Sequence, residues 1–336
     1  MGPGEGRLSC VAMPAGVSML TVSHVINKTR KVHPDTQHAV EQAIKKVGYS
    51  PNRLARALAG APTSTVGVAI SALSNCYFAS VAYAIEAACA KNGLMMMLVD
   101  THEDPQYELK AIQALRERRV DGILIAPTAD PEQRTLNYLR DHQVPTVLVD
   151  RLVGSGFDQV AVESLDATKE LLSHVIGLGH RRIGFVSGVP GLSTTEDRLQ
   201  GYRAALESAG IAFDAELVRN GQSACETARQ ATHELLVLDQ RPTAIMTGNN
   251  QMTIGALRAL REAQVRVPED MSLVGFDDIE WADVLSPRLT VMAQPVEELG
   301  ARAVRLLTRR LENPAARRQT IRLTPSLLMR ESVIAI

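Results

Sequence analysis

From residue 66 onward the chain repeats one pattern. Short apolar runs rich in β-branched residues, at residues 66–70, 94–99, 122–126, 146–149, 159–162, 182–186, 244–247 and 273–276, alternate with longer stretches. Several of those stretches, including 78–92, 107–118, 167–178 and 198–209, carry helical texture. Strands that are apolar throughout must be buried on both faces, and intervening helices supply the cover. The pattern predicts an α/β fold with parallel sheets wrapped by helices, and its repetition predicts two doubly wound lobes. In open parallel sheets ligands bind in the crevice at the carboxyl ends of the strands. The polar residues that follow strands are therefore the first site candidates: Asp150, Asn249, Asn250 and Asp277, with Arg198 at the start of a helix near the same crevice. A carboxylate, a guanidinium fork and carboxamides each bond two neighbouring hydroxyls, which suits a polyhydroxylated ligand.

The first 60 residues lack this texture and read as helical. HAVEQAIKKV at 38–47 places Ala39, Val40, Ala43, Ile44 and Val47 on one stripe, and Gly48 follows as a stop. LSCVAMPAGVSMLTVSHVIN at 8–27 has the spacing of a helix-turn-helix. Ala12 is the small residue where two helices touch, Gly16 tolerates positive φ in the turn, and Ser18 caps the second helix. Leu8, Val11, Ala15, Val17, Val22 and Val25 would pin the pair together. Charge points the same way. Residues 1–62 hold eight lysines and arginines against three acids, a net +5, while the rest holds 28 against 34, a net −6. A basic head on an acidic body suggests a head that meets a polyanion. The stretch 60–64 (GAPTS) reads as a linker.

These segments resemble the lactose/galactose-repressor family of bacterial transcription regulators. The likeness is carried by residues 11–27, then Gly48-Tyr-Ser-Pro-Asn52, Ala55-Arg-Ala-Leu58, Val120-Asp-Gly-Ile123 and Gly179-His-Arg-Arg-Ile183. It continues through Asp197-Arg-Leu-Gln-Gly-Tyr202, Arg241-Pro-Thr-Ala244, Gly248-Asn-Asn-Gln-Met252, Val267-Pro-Glu-Asp270 and Gly275-Phe-Asp-Asp278. The head, VSHVINKT in particular, is most similar to that of purine repressors. The resemblance implies a helix-turn-helix DNA-binding domain at 1–49, a hinge helix and linker at 50–64, and an effector-binding and dimerisation core at 65–336. That core would be a two-lobed, doubly wound structure of the periplasmic-binding-protein type, lobe one being 65–162 and 293–322, lobe two 163–292 and 323–336.

By that resemblance residues 18–27 form the recognition helix. Met19, Leu20 and His24 match positions that meet base edges, while Ser18, Thr21, Ser23, Asn27 and Tyr49 match positioning contacts to phosphates. Arg53 and Arg56 would meet phosphates, and Leu58 would wedge between central base pairs of the minor groove. Tyr77, Phe78, Asp150, Thr194, Arg198, Asn249 and Asp277 fall on effector positions, and Trp281, the sole tryptophan, could stack on a sugar face. The implied partners are double-stranded, roughly palindromic operator DNA, a small-molecule effector, and further copies of the chain as a homodimer or tetramer.

Some residues depart from the family's pattern. Arg7-Leu-Ser-Cys10 replaces a Thr-Ile-Lys-Asp-like start. Pro14 falls late in helix one, where proline removes a backbone donor at a penalty of about 3 kcal/mol, so a head poorly ordered away from DNA, or a weakened DNA binder, is expected. Leu192 and Gln222 stand where the purine repressors carry a base-reading arginine and a stacking phenylalanine, which favours a sugar or sugar acid over a nucleobase. Arg151, next to Asp150, points to an acidic ligand unless it faces solvent, and Glu163-Ser164 replaces an Asp-Asn pair.

No nucleophile elbow, zinc-protease motif or dinucleotide glycine pattern appears, so neither catalysis nor a cofactor is expected. The acids Asp277, Asp278 and Glu280 read as one cleft carboxylate plus helix caps, and His180-Arg-Arg182 as a solvated turn. Cys10, Cys76, Cys89 and Cys225 form no C-x-x-C pair and predict neither disulfides nor zinc. Absence of a membrane span or secretion signal predicts a cytoplasmic, nucleoid-associated protein.

Overall fold

The computed structural model describes residues 8–27, 30–49, 62–279, 282 and 284–336. The chain divides into two compact units, 1–63 and 64–336.

In the first unit, α1 (Ser9–Ala15) and α2 (Met19–Asn27) are joined by a tight turn, and α3 (Pro34–Val47) packs against them. Gly16 takes φ +64°, and its N–H and that of Val17 close α1 on Met13 and Ala12. The chain bends by 101° between α1 and the stretch Met19–Ile26, as a helix-turn-helix requires. Ser18 caps α2 by accepting a 3.1 Å bond from the Thr21 N–H. Val11, Ala12, Val22, Val40 and Ala43 form the small core. Pro14 lies inside α1 without ending it, because the helix stops one residue later and few backbone bonds depended on the missing donor.

The second unit holds two six-stranded sheets. The first is built from β1 (Thr65–Ile70), β2 (Met95–Asp100), β3 (Gly122–Ile125), β4 (Thr146–Val149), β5 (Asp158–Val162) and β11 (Thr320–Leu323), in the order β11-β5-β4-β3-β1-β2. All its pairings are parallel. One face packs Val66, Val68, Leu124 and Val147 under α4 (Cys76–Lys91) and α11 (Val296–Glu312). The opposite face packs Ala69, Ile123, Ile125 and Leu148 under α5 (Pro105–Glu117) and α6 (Arg134–Asp141). Neighbouring residues thus turn to opposite covered faces, the period-two geometry of a strand. Gly300 lets α11 lie directly on α4, since a Cβ there would stand 2.7 Å from that of Ala84.

The second sheet comprises β6 (Ile183–Ser187), β7 (Val218–Asn220), β8 (Ala244–Thr247), β9 (Ser272–Phe276), β10 (Thr290–Ala293) and β12 (Ser326–Leu328), in the order β12-β10-β9-β8-β6-β7. Its covers are α7 (Leu165–Gly177) and α8 (Ser193–Ser208) on one face, and α9 (Cys225–Leu236) and α10 (Asn250–Glu262) on the other. Only β12 runs antiparallel. The chain crosses between sheets after β5, after β10 and between β11 and β12. Ala293 belongs to the second sheet and Leu323 to the first, each one residue across the boundary expected from sequence.

One other expectation needs correction. His180 is buried, not solvated: its ring nitrogens bond the Thr243 hydroxyl at 2.8 Å and the Ile334 carbonyl at 2.9 Å, tying down the C-terminal segment. Asp278 pairs with Arg330 at 2.8 Å. Among the described residues no single helix is long and apolar enough to cross a membrane.

Candidate functional site

The first unit offers the exposed side of α2. Burying Val22 against α1 and α3 turns the start of the helix outward, leaving Ser18, Met19 and Leu20 exposed. Thr21, Ser23 and His24 are half-exposed one turn further on. Met19 and Leu20 are 56% and 66% exposed, unusual for large apolar side chains with a core within reach. Tyr49 is half-buried against the head's core, so packing already accounts for part of its presence. Arg53, Arg56 and Leu58, and the side chain of Asn27, lie outside the described residues.

In the second unit, the carboxyl ends of the two sheets' strands border a cavity of about 290 Å³ between the lobes. Lobe one contributes Tyr77, Phe78 and Asp150, and lobe two Thr194, Arg198, Asn249 and Asp277. Asp150 follows β4 and Asp277 follows β9, with φ +69° and +76°. Left-handed backbone is disfavoured for most side chains but tolerated by aspartate, and such strain gathers at binding sites.

Hydrogen bonds stitch the floor of the cavity. The Tyr77 hydroxyl donates to Asp150 Oδ1 at 2.6 Å and lies 3.2 Å from Gln294 Oε1. Gln294 Nε2 donates to Asp277 Oδ1 at 2.6 Å. Gln294 sits at the crossing after β10, so this chain of polar groups links the two lobes. Burial pushes the Tyr77 hydroxyl pKa well up, and the neighbouring Asp150 carboxylate adds to it. Burial likewise raises the Asp277 carboxyl pKa, although Arg198 and the Gln294 amide oppose the rise. Asp277 Oδ2 also accepts from the Asn250 N–H at 3.1 Å. Arg198 donates to the Gly248 carbonyl and lies 3.9 Å from the centre of the Phe276 ring. No ion pair joins Arg198 to Asp277 among the described residues, so a structural salt bridge does not consume the pair. Asn249 caps α10 through its Oδ1, which accepts from Met252 N–H at 2.8 Å.

Family models match both units: "Bacterial regulatory proteins, lacI family" over residues 8–52, and "Periplasmic binding protein-like domain" over 172–333. The HTH-type transcriptional repressor PurR of Haemophilus influenzae is 34% identical over 330 residues, covering 97% of this chain and 98% of that one. The ribose operon repressor of Escherichia coli is 36% identical over 323 residues, covering 96% and 98%. The chain belongs to the lacI family of bacterial regulatory proteins. Solved structures agree along the whole length. A lac repressor dimer bound to operator and the anti-inducer ONPF superposes with a TM-score of 0.87 at 29% identity, covering 99% of this chain and all of that one. A complex of the regulator CelR with cellobiose gives 0.76 at 31% identity, covering 98% of this chain and 100% of that one. This lacI-family protein is a DNA-binding transcriptional repressor regulated by a small-molecule effector, and its relatives are repressors and not enzymes.

Every effector position read from the sequence within the described residues lines this repressor's cavity; Trp281 lies outside them. Leu192 and Gln222 line it as well. Asn250 does not: it is buried in the first turn of α10. Glu163 accepts three backbone N–H bonds at the start of α7, from Leu165, Asp166 and Ala167, and so acts as a cap. Arg151 neither faces solvent nor stands free for an acid. It is buried over the Phe78 ring, paired with Glu103 and bonded to the Pro127 carbonyl at 3.0 Å. Burial opposes its charge, but Glu103 and Asp150 outweigh that and hold its pKa above the ordinary value. Gln294, Glu103 and Asn75 are lining residues that the sequence reading missed. Gln294 follows an unread strand, and nothing local marks it.

Proposed function

We propose that this repressor reads a two-fold operator with α2 and is controlled by a neutral sugar bound between its lobes. Residues 1–49 read the DNA, 50–64 couple the head to the core, and 65–336 bind effector and dimerise. Met19, Leu20 and His24 take base edges; Ser18, Thr21, Ser23, Asn27, Tyr49, Arg53 and Arg56 hold the backbone; Leu58 wedges the minor groove. Exposure of Met19 and Leu20 on a capped helix supports the base-reading role.

The observation that carries the effector assignment is the polar balance of the cavity. Its lining combines three carboxylates, Glu103, Asp150 and Asp277, with two guanidinium groups, Arg151 and Arg198. Arg151 is already neutralised by Glu103. A sugar acid would add like charge to this set, whereas the hydroxyls of an uncharged sugar bond Asp150, Asp277 and Arg198 directly. Leu192 and Gln222 offer neither an arginine fork nor a flat ring to a nucleobase. The volume sits at the small end of ligand pockets, roughly 300–1,000 Å³, and so favours a single sugar unit. Bound sugar changes the angle between the lobes, and paired hinge helices in a homodimer gain or lose their seating on the operator.

Selection of duplexes from a randomised library with full-length protein would yield the operator. Its dissociation is then followed by fluorescence anisotropy against panels of neutral sugars, sugar acids and nucleobases. A neutral sugar that shifts the curve while the other panels do not is the expected outcome. A response confined to nucleobases or sugar acids, or binding that is blind to sequence, overturns the reading.

A further inference from the structure

A second cavity, of about 570 Å³, opens between the lobes beside the effector cleft. Lobe one supplies Pro127, Thr128 and Leu136, and lobe two the turn Val189, Pro190 and Gly191. Glu108 of α5 forms part of its wall, with 1% of the residue exposed. Its Oε2 accepts the Thr128 N–H at 2.7 Å. The Thr128 and Thr135 hydroxyls lie beside the carboxyl, yet neither completes a well-formed hydrogen bond. No lysine, arginine or histidine pairs with Glu108 among the described residues; Arg151, the guanidinium whose charge it feels, is paired with Glu103. Burial raises the Glu108 carboxyl pKa, while the backbone bond, the two hydroxyls and the charge of Arg151 oppose the rise.

A buried carboxylate is ordinarily paired with a cation, and here none pairs with it while its side chain lines the cavity. We propose that this seam cavity is a second ligand site, and that it takes a small organic cation: a primary ammonium that ion-pairs with Glu108, carried on a short apolar stem. The prolines, Leu136 and Val189 line the space for the stem. An occupant touches both lobes at once, so it favours one lobe arrangement over another and tunes the response to the sugar.

The test uses full-length protein with n-butylammonium as probe and n-butanol as its neutral counterpart, read by thermal shift and calorimetry without any sugar. Wild-type protein gains melting temperature with the amine and not with the alcohol. Glu108→Gln, nearly the same shape without charge, loses that gain, and Ala129→Phe, which adds bulk at a lining position, loses it too. Both variants keep their response to whichever effector releases the wild-type protein from DNA, so failure here is distinguishable from failure of the sugar assignment. No amine-specific shift in wild type, or an undiminished shift in Glu108→Gln, overturns the proposal.

Discussion

Replacing Tyr77 by phenylalanine isolates one hydrogen bond in the cavity floor. The ring stays, with its packing on Phe78 at a centroid distance of 5.3 Å. Only the hydroxyl is lost, which donates to Asp150 at 2.6 Å and lies 3.2 Å from Gln294. Asp150 has no other hydrogen-bond donor among the described residues, and Arg151 Nε stands 3.8 Å away, beyond bonding distance. Hydrogen bonds to charged groups contribute about 1.5–3 kcal/mol, and water entering from the cavity recovers part of this. The expected loss is about 1–2 kcal/mol, or a fall in Tm of roughly 2–8 °C for a body of this size. Thermal unfolding of full-length protein by circular dichroism measures it. Tyr83→Phe is the control, because Tyr83 is 76% exposed and its loss should leave the melt unchanged. A Tyr77→Phe melt within one degree of wild type at neutral pH (roughly the error of such a scan) would mean that Asp150 needs no protein donor, and the floor described here would not hold the lobes together.

Arg198→Ala removes the guanidinium from the cavity and leaves the Gly248 carbonyl without its partner; the effector response should fall at least ~10-fold while oligomeric state by light scattering is unchanged, and a normal dose response would refute the role. His24→Ala should relax base preference at one position per half-site by about 1–3 kcal/mol, and unaltered selectivity on a randomised-site panel would reject base reading. Burial lowers the His180 pKa below 6.5, so the unfolded chain takes up a proton that the folded one refuses. The stability from neutral His180 is complete above about 6.5 and is lost as pH falls through the folded value. His180→Gln should therefore flatten the acid-side decline in Tm, and an identical decline in both proteins would exclude His180 as its source.

The family resemblance and the alternation of apolar runs were legible because both are local. Residues 146–149 announce a doubly covered strand, and Gly16 with Ser18 announce a turn and a cap, whatever surrounds them. Asp150 and Asp277 were found for the same reason: a polar residue directly after a buried parallel strand has only the crevice to face. The edge strands β7, β11 and β12 were not legible, since each is partly exposed and carries no continuous apolar run. The strand β10 was not read either, although it is buried like the four-residue strands that were.

What tertiary structure alone decided is which polar side chains are enclosed and by what. Arg151, His180 and Glu108 look like surface residues in the chain, yet each is closed over by segments remote in sequence: Glu103 and Phe78, the C-terminal segment, and the stretch after β3. Gln294 gained its place only when β10 paired beside β9 and brought it between Tyr77 and Asp277. Periodicity determines which way a residue turns from its own helix or strand. Whether it then meets water, a counter-charge or a cavity depends on where the rest of the chain arrives.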